Sequence, residues 1–135
     1  MLGAKPPEKK NTRRVLVAED DPTGAKLIEM SLNKMGISNV TVVVDGMEAW
    51  KEIENATKPF SLIVADWNMP FVTGIELLER VRDDGIKTPF IIITGKNSVE
   101  AAVEAKEMGV TAFLPKPYTP NLLMRRIEEV LAQAN

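Results

Sequence analysis

Phe60-Ser61-Leu62-Ile63-Val64-Ala65-Asp66-Trp67-Asn68-Met69-Pro70 is the stretch that sets the reading of this chain. A short apolar run stops at a carboxylate, and a proline follows soon after. Apolar runs of about four to eight residues bounded by turn signals read as fully buried strands. Phe60 to Ala65 is therefore expected to be a central strand, with Asp66 where that strand leaves the core. In open α/β sheets, ligands bind at the carboxyl ends of the strands. Asp66 is thus the first candidate for chemistry.

The same pattern recurs on either side. Arg14 to Ala18 reads as a first strand ending at Glu19-Asp20-Asp21-Pro22, where Asp21 suits a helix N-cap and Pro22 the first helical position. Ala25, Ile28, Leu32 and Met35 fall on one face of the helix that follows, and Gly36 stops it. Val40 to Val44 reads as a second strand, and Asp45-Gly46 opens a helix with Met47, Trp50 and Ile53 on its inner face. Trp50 and the methionines are read as core packing. Beyond Pro70, Thr73-x-x-Glu76 is a capping box for a helix with Leu77, Leu78 and Val81 inward. Phe90 to Ile93 is a fourth strand ending at Thr94-Gly95, and Asn97 or Ser98 can cap a helix running to about Met108. Thr111 to Leu114 is a fifth strand ending at Pro115-Lys116-Pro117. Thr119 and Pro120 open a last helix with Leu123, Ile127, Val130 and Leu131 inward.

Five strand-helix units with no break in composition predict one domain with a parallel sheet covered on both faces. Residues 1–12, with Gly3, Pro6, Pro7 and several charges, read as a flexible lead, and residues 13–135 as the domain. The expected architecture is α/β, a flavodoxin-like doubly wound fold with strand order 2-1-3-4-5.

Composition narrows the chemistry. The net charge of -2 argues against direct nucleic-acid binding. With no cysteine there is no disulfide, thiolate zinc site or cysteine nucleophile, and with no histidine there is no serine-histidine triad. No apolar run approaches the roughly 20 residues of a membrane span, and no signal-peptide core is evident, so a cytoplasmic protein is expected. Any chemistry has to run on carboxylates, lysine, hydroxyls and a hard metal ion.

The predicted strand order concentrates those groups. Glu19 and Asp20 end the first strand, Asp66 the third and Thr94 the fourth, and Lys116 follows the fifth. Neighbouring strands lie roughly 4.8 Å apart, so Asp66 falls between Asp20 and Thr94, with Lys116 one strand further. Only the second strand, placed at the outer edge, lacks such a group. Two carboxylates about 4 Å apart repel by roughly 4 kcal/mol at an effective dielectric near 20, so the acidic cluster needs a cation. Oxygen ligands alone point to Mg²⁺ or Ca²⁺, and an incomplete carboxylate cage completed by water fits Mg²⁺ better. Asp66 could then attack phosphorus, Thr94 donate to a phosphoryl oxygen and Lys116 neutralise its charge. Each residue also has a plain structural role available: acids at strand ends cap helices, and a lone lysine is usually a surface lysine.

Val15-Leu16-Val17-Ala18-Glu19-Asp20-Asp21-Pro22, Asp66-Trp67-Asn68-Met69-Pro70 with Gly74, Ile91-Ile92-Ile93-Thr94-Gly95, and Lys116-Pro117 together resemble the receiver domain of two-component response regulators. The resemblance covers about residues 13–133 and is nearest to the single-domain chemotaxis (CheY-like) form. It implies that Asp66 accepts a phosphoryl group from the phosphohistidine of a sensor histidine kinase or phosphotransfer protein. It implies too that Glu19, Asp20, Asp66 and the backbone carbonyl of Asn68 bind Mg²⁺, that Thr94 and Lys116 contact the phosphoryl group, and that the Lys116-Pro117 bond is cis. Thr94 and Phe113 would be the switch pair, remodelling the face of helix 4, strand 5 and helix 5 on which a downstream protein docks. Phe113 stands where the family often has tyrosine, and its core reading is nearly as good. Glu19 stands where the chemotaxis form has aspartate. Asn68 and Lys96 occupy positions that tune dephosphorylation in the family, and the small Gly95 leaves room for the incoming group. No output domain follows, so output is expected by docking.

Two other function classes compete with this phosphoacceptor signalling protein. One is a receiver-fold interaction scaffold that works without phosphorylation. The other is an enzyme on the same fold, an aspartate-based phosphatase or a nucleotide-dependent oxidoreductase. Asn68 stands where that phosphatase chemistry needs a second aspartate, and the first strand-turn-helix has neither G-x-G-x-x-G nor a P-loop lysine motif.

Overall fold

Each apolar run becomes a strand and each periodic segment a helix in the computed structural model, which describes residues 12–96 and 98–134. The elements are β1 (Arg14–Ala18), α1 (Pro22–Lys34), β2 (Asn39–Val43), α2 (Gly46–Glu54), β3 (Leu62–Asp66), α3 (Gly74–Asp83), β4 (Phe90–Thr94), α4 (Val99–Glu107), β5 (Ala112–Pro115) and α5 (Pro120–Ala134). All strand pairs are parallel, in the order β2-β1-β3-β4-β5. The expected flavodoxin-like architecture is thus the observed one.

Alternation along the strands divides the core in two. Leu16, Ala18, Ile63, Ala65, Phe90 and Ile92 face one side, with Ala49 and Ile53 of α2, Leu77, Leu78 and Val81 of α3, and Ala101 and Ala105 of α4. Val15, Val17, Leu62, Val64, Ile91, Ile93 and Leu114 face the other, against Ile28 and Leu32 of α1 and Leu123, Ile127, Val130 and Leu131 of α5. β3 and β4 are buried along their whole length. That is why their sequences are unbroken apolar runs rather than alternating ones.

The helix starts follow the capping residues. Asp21, Asp45, Thr73 and Ser98 each accept an N–H from the first turn of α1, α2, α3 and α4, and Leu122 N–H donates to Thr119 Oγ1. Asn97, the other candidate cap, lies outside the described residues, as do residues 1–11 of the expected lead.

Some boundaries differ. β2 begins and ends one residue earlier than Val40 to Val44, because Glu19 N–H takes the Val43 carbonyl and closes the ladder there. β3 begins at Leu62, and Phe60 instead turns into the core beneath the Arg14 guanidinium, 4.4 Å from its ring centroid. β5 starts at Ala112, because the hydroxyl of Thr111 is occupied with the Phe90 N–H.

The inner face of α2 is a correction. It is Gly46, Ala49 and Ile53 with Trp50 at its margin, whereas Met47 is 38% exposed. Met30 on α1 is 57% exposed as well, so Met69 packs in the core but not every methionine does. Both exposed residues sit on helices whose inner stripe is already filled by smaller or branched side chains.

Candidate functional site

Register fixes the site before any side chain is considered. Ala18 pairs with Ala65, Asp66 with Ile93, and Thr94 with Pro115. Glu19, Asp66, Thr94 and Lys116 therefore emerge from four adjacent strands at one edge, as the strand order predicts.

Asp66 and Glu19 are buried, Thr94 is wholly so, and Asp20 is exposed. One carboxylate oxygen from each of Glu19, Asp20 and Asp66 lies within 4.8 Å of the other two. Lys116 Nζ donates to Asp66 Oδ2 at 2.6 Å and stands 3.8 Å from Glu19 Oε1. The other Asp66 oxygen, Oδ1, accepts the Asn68 N–H at 3.1 Å, and Glu19 Oε2 accepts the Asp21 N–H at 3.1 Å. The Lys116-Pro117 peptide bond is cis.

These contacts leave the cluster electrostatically unbalanced. Burial, offset in part by the Asp21 N–H, pushes the Glu19 carboxyl up to about 7, and the charge of Asp66 adds to the rise. Burial alone would lower Lys116. Its hydrogen bond to Asp66 and the charges of Asp66 and Glu19 outweigh that, leaving it above the ordinary lysine value. Burial, and next the Glu19 charge, raises the nearby Tyr118 phenol. Three hard oxygen donors facing one ammonium form a donor set that fits a divalent cation. A cleft of about 420 Å³ opens beside it between α1 and the Lys116-Pro117-Tyr118 segment.

On the other side of Asp66, the Thr94 hydroxyl accepts the Lys96 N–H at 2.9 Å, so its own proton is available to a further acceptor. Gly95 has open space where a Cβ would stand. Phe113 is half-buried, its ring edge-to-face with Trp67 at 6.4 Å and 87°. The Lys96 ammonium lies over the Trp67 ring, 5.4 Å from its centroid.

The Lys96–Trp67 stack and the direct Lys116–Asp66 pair are among the contacts that the strand ends alone do not predict. The first was recoverable: Trp67 follows Asp66, Lys96 follows Thr94 by two, and the two strands are neighbours.

The chain matches the family model of the response regulator receiver domain over residues 15–128. It belongs to that family. The chemotaxis protein CheY1 of Helicobacter pylori is 32% identical over 120 residues, covering 87% of this chain and 96% of that protein. The chemotaxis protein CheY of Pseudomonas aeruginosa is 32% identical over 124 residues, covering 90% and 98%. Among solved structures, the receiver domain of the Francisella response regulator 1452 superposes with a TM-score of 0.84 at 35% identity, covering 91% of this chain and 99% of that one. The receiver is thus CheY-like, a two-component signalling module, and its Glu19–Asp20–Asp66 cluster lies at the carboxyl ends of β1 and β3. No helix among the described residues is long and apolar enough to cross a membrane.

Proposed function

We propose that this receiver is a phosphoacceptor switch, in which Asp66 takes a phosphoryl group from the phosphohistidine of a kinase or phosphotransfer protein. The observation that carries the reading is the placement of a buried carboxylate between an ammonium at 2.6 Å, a buried hydroxyl on the next strand, and two further carboxylates. An Asp66 oxygen attacks phosphorus. The new P–O bond forms as the P–N bond to the donor imidazole breaks, and the imidazole nitrogen keeps the electron pair. Lys116, already paired to Asp66, follows the charge onto a phosphoryl oxygen, and the free Thr94 proton reaches another.

Glu19, Asp20 and Asp66, with the Asn68 backbone carbonyl, would hold Mg²⁺. Bound there, the ion would neutralise the carboxylates and the phosphoryl charge. Movement of Thr94 toward the phosphoryl group frees space beside Phe113, on the strand paired with β4, and the ring packs inward. The face of α4, β5 and α5 then changes and is read by a docking protein. The Asp66-x-Asn68 sequence keeps favouring an acceptor over a phosphatase.

The test is intact-protein mass spectrometry after incubation with Mg²⁺ and acetyl phosphate. Wild type gains one phosphoryl mass, and Asp66→Asn gains none. A wild type without adduct, or an equal adduct on Asp66→Asn, overturns the reading.

A further inference from the structure

Gly24, in the first turn of α1, has no backbone reason to be glycine. Its φ is not positive, unlike those of Gly36, Gly85 and Gly109, and its missing side chain does not admit neighbouring backbone, as those of Gly46 and Gly74 do. Glycine destabilises a helix relative to alanine, so its place here calls for a compensating contact. That contact lies at the acidic edge. A Cβ at Gly24 would stand 3.1 Å from Glu19 Oε1, 3.3 Å from Asp21 Oδ2 and 3.4 Å from Glu19 Cδ.

Neither side of this approach is free to retreat. The Glu19 backbone N–H is tied to the Val43 carbonyl at 3.0 Å, and its side chain is only 2% exposed. Glu19 Oε2 accepts the Asp21 N–H at 3.1 Å, Oε1 stands 3.8 Å from Lys116 Nζ, and an Asp66 oxygen lies within 4.8 Å. On the helix side, Gly24 N–H donates to Asp21 Oδ2 at 3.1 Å, which fixes the first turn. Glutamate carries one methylene more than aspartate, and from a fixed strand end that extra length brings its carboxylate up against α1. A loose carboxylate would yield to a methyl group at little cost, but one held on several sides does not.

We infer that Gly24 is a positioning residue of the candidate metal centre, whose bare Cα forms the recess that seats the Glu19 carboxylate. It acts through Glu19, having no side chain of its own to offer an ion. The inference rests on the proposed Mg²⁺ role of Glu19, and it accounts for how a glutamate fits at the end of β1. A methyl group in the recess displaces the carboxylate from the place where it accepts the Asp21 N–H and faces Lys116.

The experiment is a double-mutant cycle in the full-length chain, with wild type, Gly24→Ala, Glu19→Asp and the double variant. Urea denaturation in EDTA probes the recess without metal, and isothermal titration calorimetry gives the Mg²⁺ Kd. Gly24→Ala lowers the urea midpoint and raises Kd about tenfold, the loss typical when the support of a metal ligand is disturbed. In the Glu19→Asp background the same alanine does neither, because the shorter side chain leaves room for the methyl group. A general effect of alanine on the helix would not depend on the length of residue 19. Equal losses in both backgrounds place the clash at the Asp21 cap and overturn the inference, and so does an unchanged Kd in Gly24→Ala. A wild type that takes up no Mg²⁺ would instead sink the metal reading of Glu19, and the urea cycle then decides the recess by itself.

Discussion

Glu19 carries the most informative electrostatics in the molecule. Its carboxyl is pushed up to about 7, first by burial and then by the Asp66 charge, against an ordinary value of 4.5. The sign follows from which form each partner prefers. Without metal, the folded chain holds this proton where the unfolded chain has lost it, so the stability it contributes is present below about pH 4.5 and is lost as pH rises through about 7. A cation at the cluster favours the ionised form, so metal and proton compete. Mg²⁺ affinity, read from Trp67 fluorescence, should therefore fall as pH drops from about 8 to about 6, approaching tenfold per pH unit below the Glu19 value. Glu19→Gln should flatten that dependence. The positions of Glu19, Asp20, Asp66, Thr94 and Lys116 were legible from strand-end chemistry plus strand order. The Lys116–Asp66 pair was not, because a flexible four-carbon side chain can reach several partners and sequence does not choose among them.

At the scale of elements, α3 shows how closely helix starts are tied to the site. Thr73 and Glu76 form the capping box expected from their spacing, with Thr73 N–H donating to Glu76 Oε1 and Glu76 N–H to Thr73 Oγ1. The glycine next to the cap has a reason that spacing does not reveal, the approach of α3 to the Asp66 carbonyl. Gly74→Ala is expected to cost about 1–3 kcal/mol, the usual penalty of overpacking. It should also slow phosphorylation by acetyl phosphate, because relief of the clash moves the Asp66 backbone. Urea denaturation and mass spectrometry measure the two effects separately, and a stable variant with normal phosphorylation would contradict the packing account. Arg82 is the counterpart that went unnoticed. Its guanidinium donates to the carbonyls of Gly109, Ile86 and Thr88, tying the turns around β4 and β5 to the end of α3. An arginine in a helix's last turn looks like a solvated charge, yet Arg82 reaches two carbonyls of the segment that follows α3 and a third, that of Gly109, from a turn 27 residues away.

For the whole molecule, the same strand order that builds a dry two-sided core also gathers three carboxylates at one edge. The fold was legible because β3 and β4 are unbroken apolar runs, a capping residue opens each of the five helices, and Gly36, Gly85 and Gly109 stop three of them. Surface placement of Met30, Met47 and Phe71 was not, because nothing local distinguishes a spare apolar residue from a core one. The acidic edge has a global consequence. A pair of charges 4.8 Å apart repels by about 3 kcal/mol at an effective dielectric near 20, and Lys116 offsets only part of the cluster. The metal-free receiver is expected to forgo stability at this edge that the proposed Mg²⁺ would restore on binding. At a Mg²⁺ concentration of about one hundred times Kd, linkage gives about 2.7 kcal/mol, or roughly a 10 °C rise in Tm for a domain of this size. Asp20→Asn separates the two effects, because Asp20 is the exposed member of the cluster and its removal leaves no buried group unpaired. Calorimetry of this variant should show a higher Tm than wild type without Mg²⁺ and a much smaller rise when Mg²⁺ is added. If Asp20→Asn instead melts lower than wild type in the absence of Mg²⁺, the carboxylates are not in net repulsion, and the deferred-stability account fails even if the ion still binds.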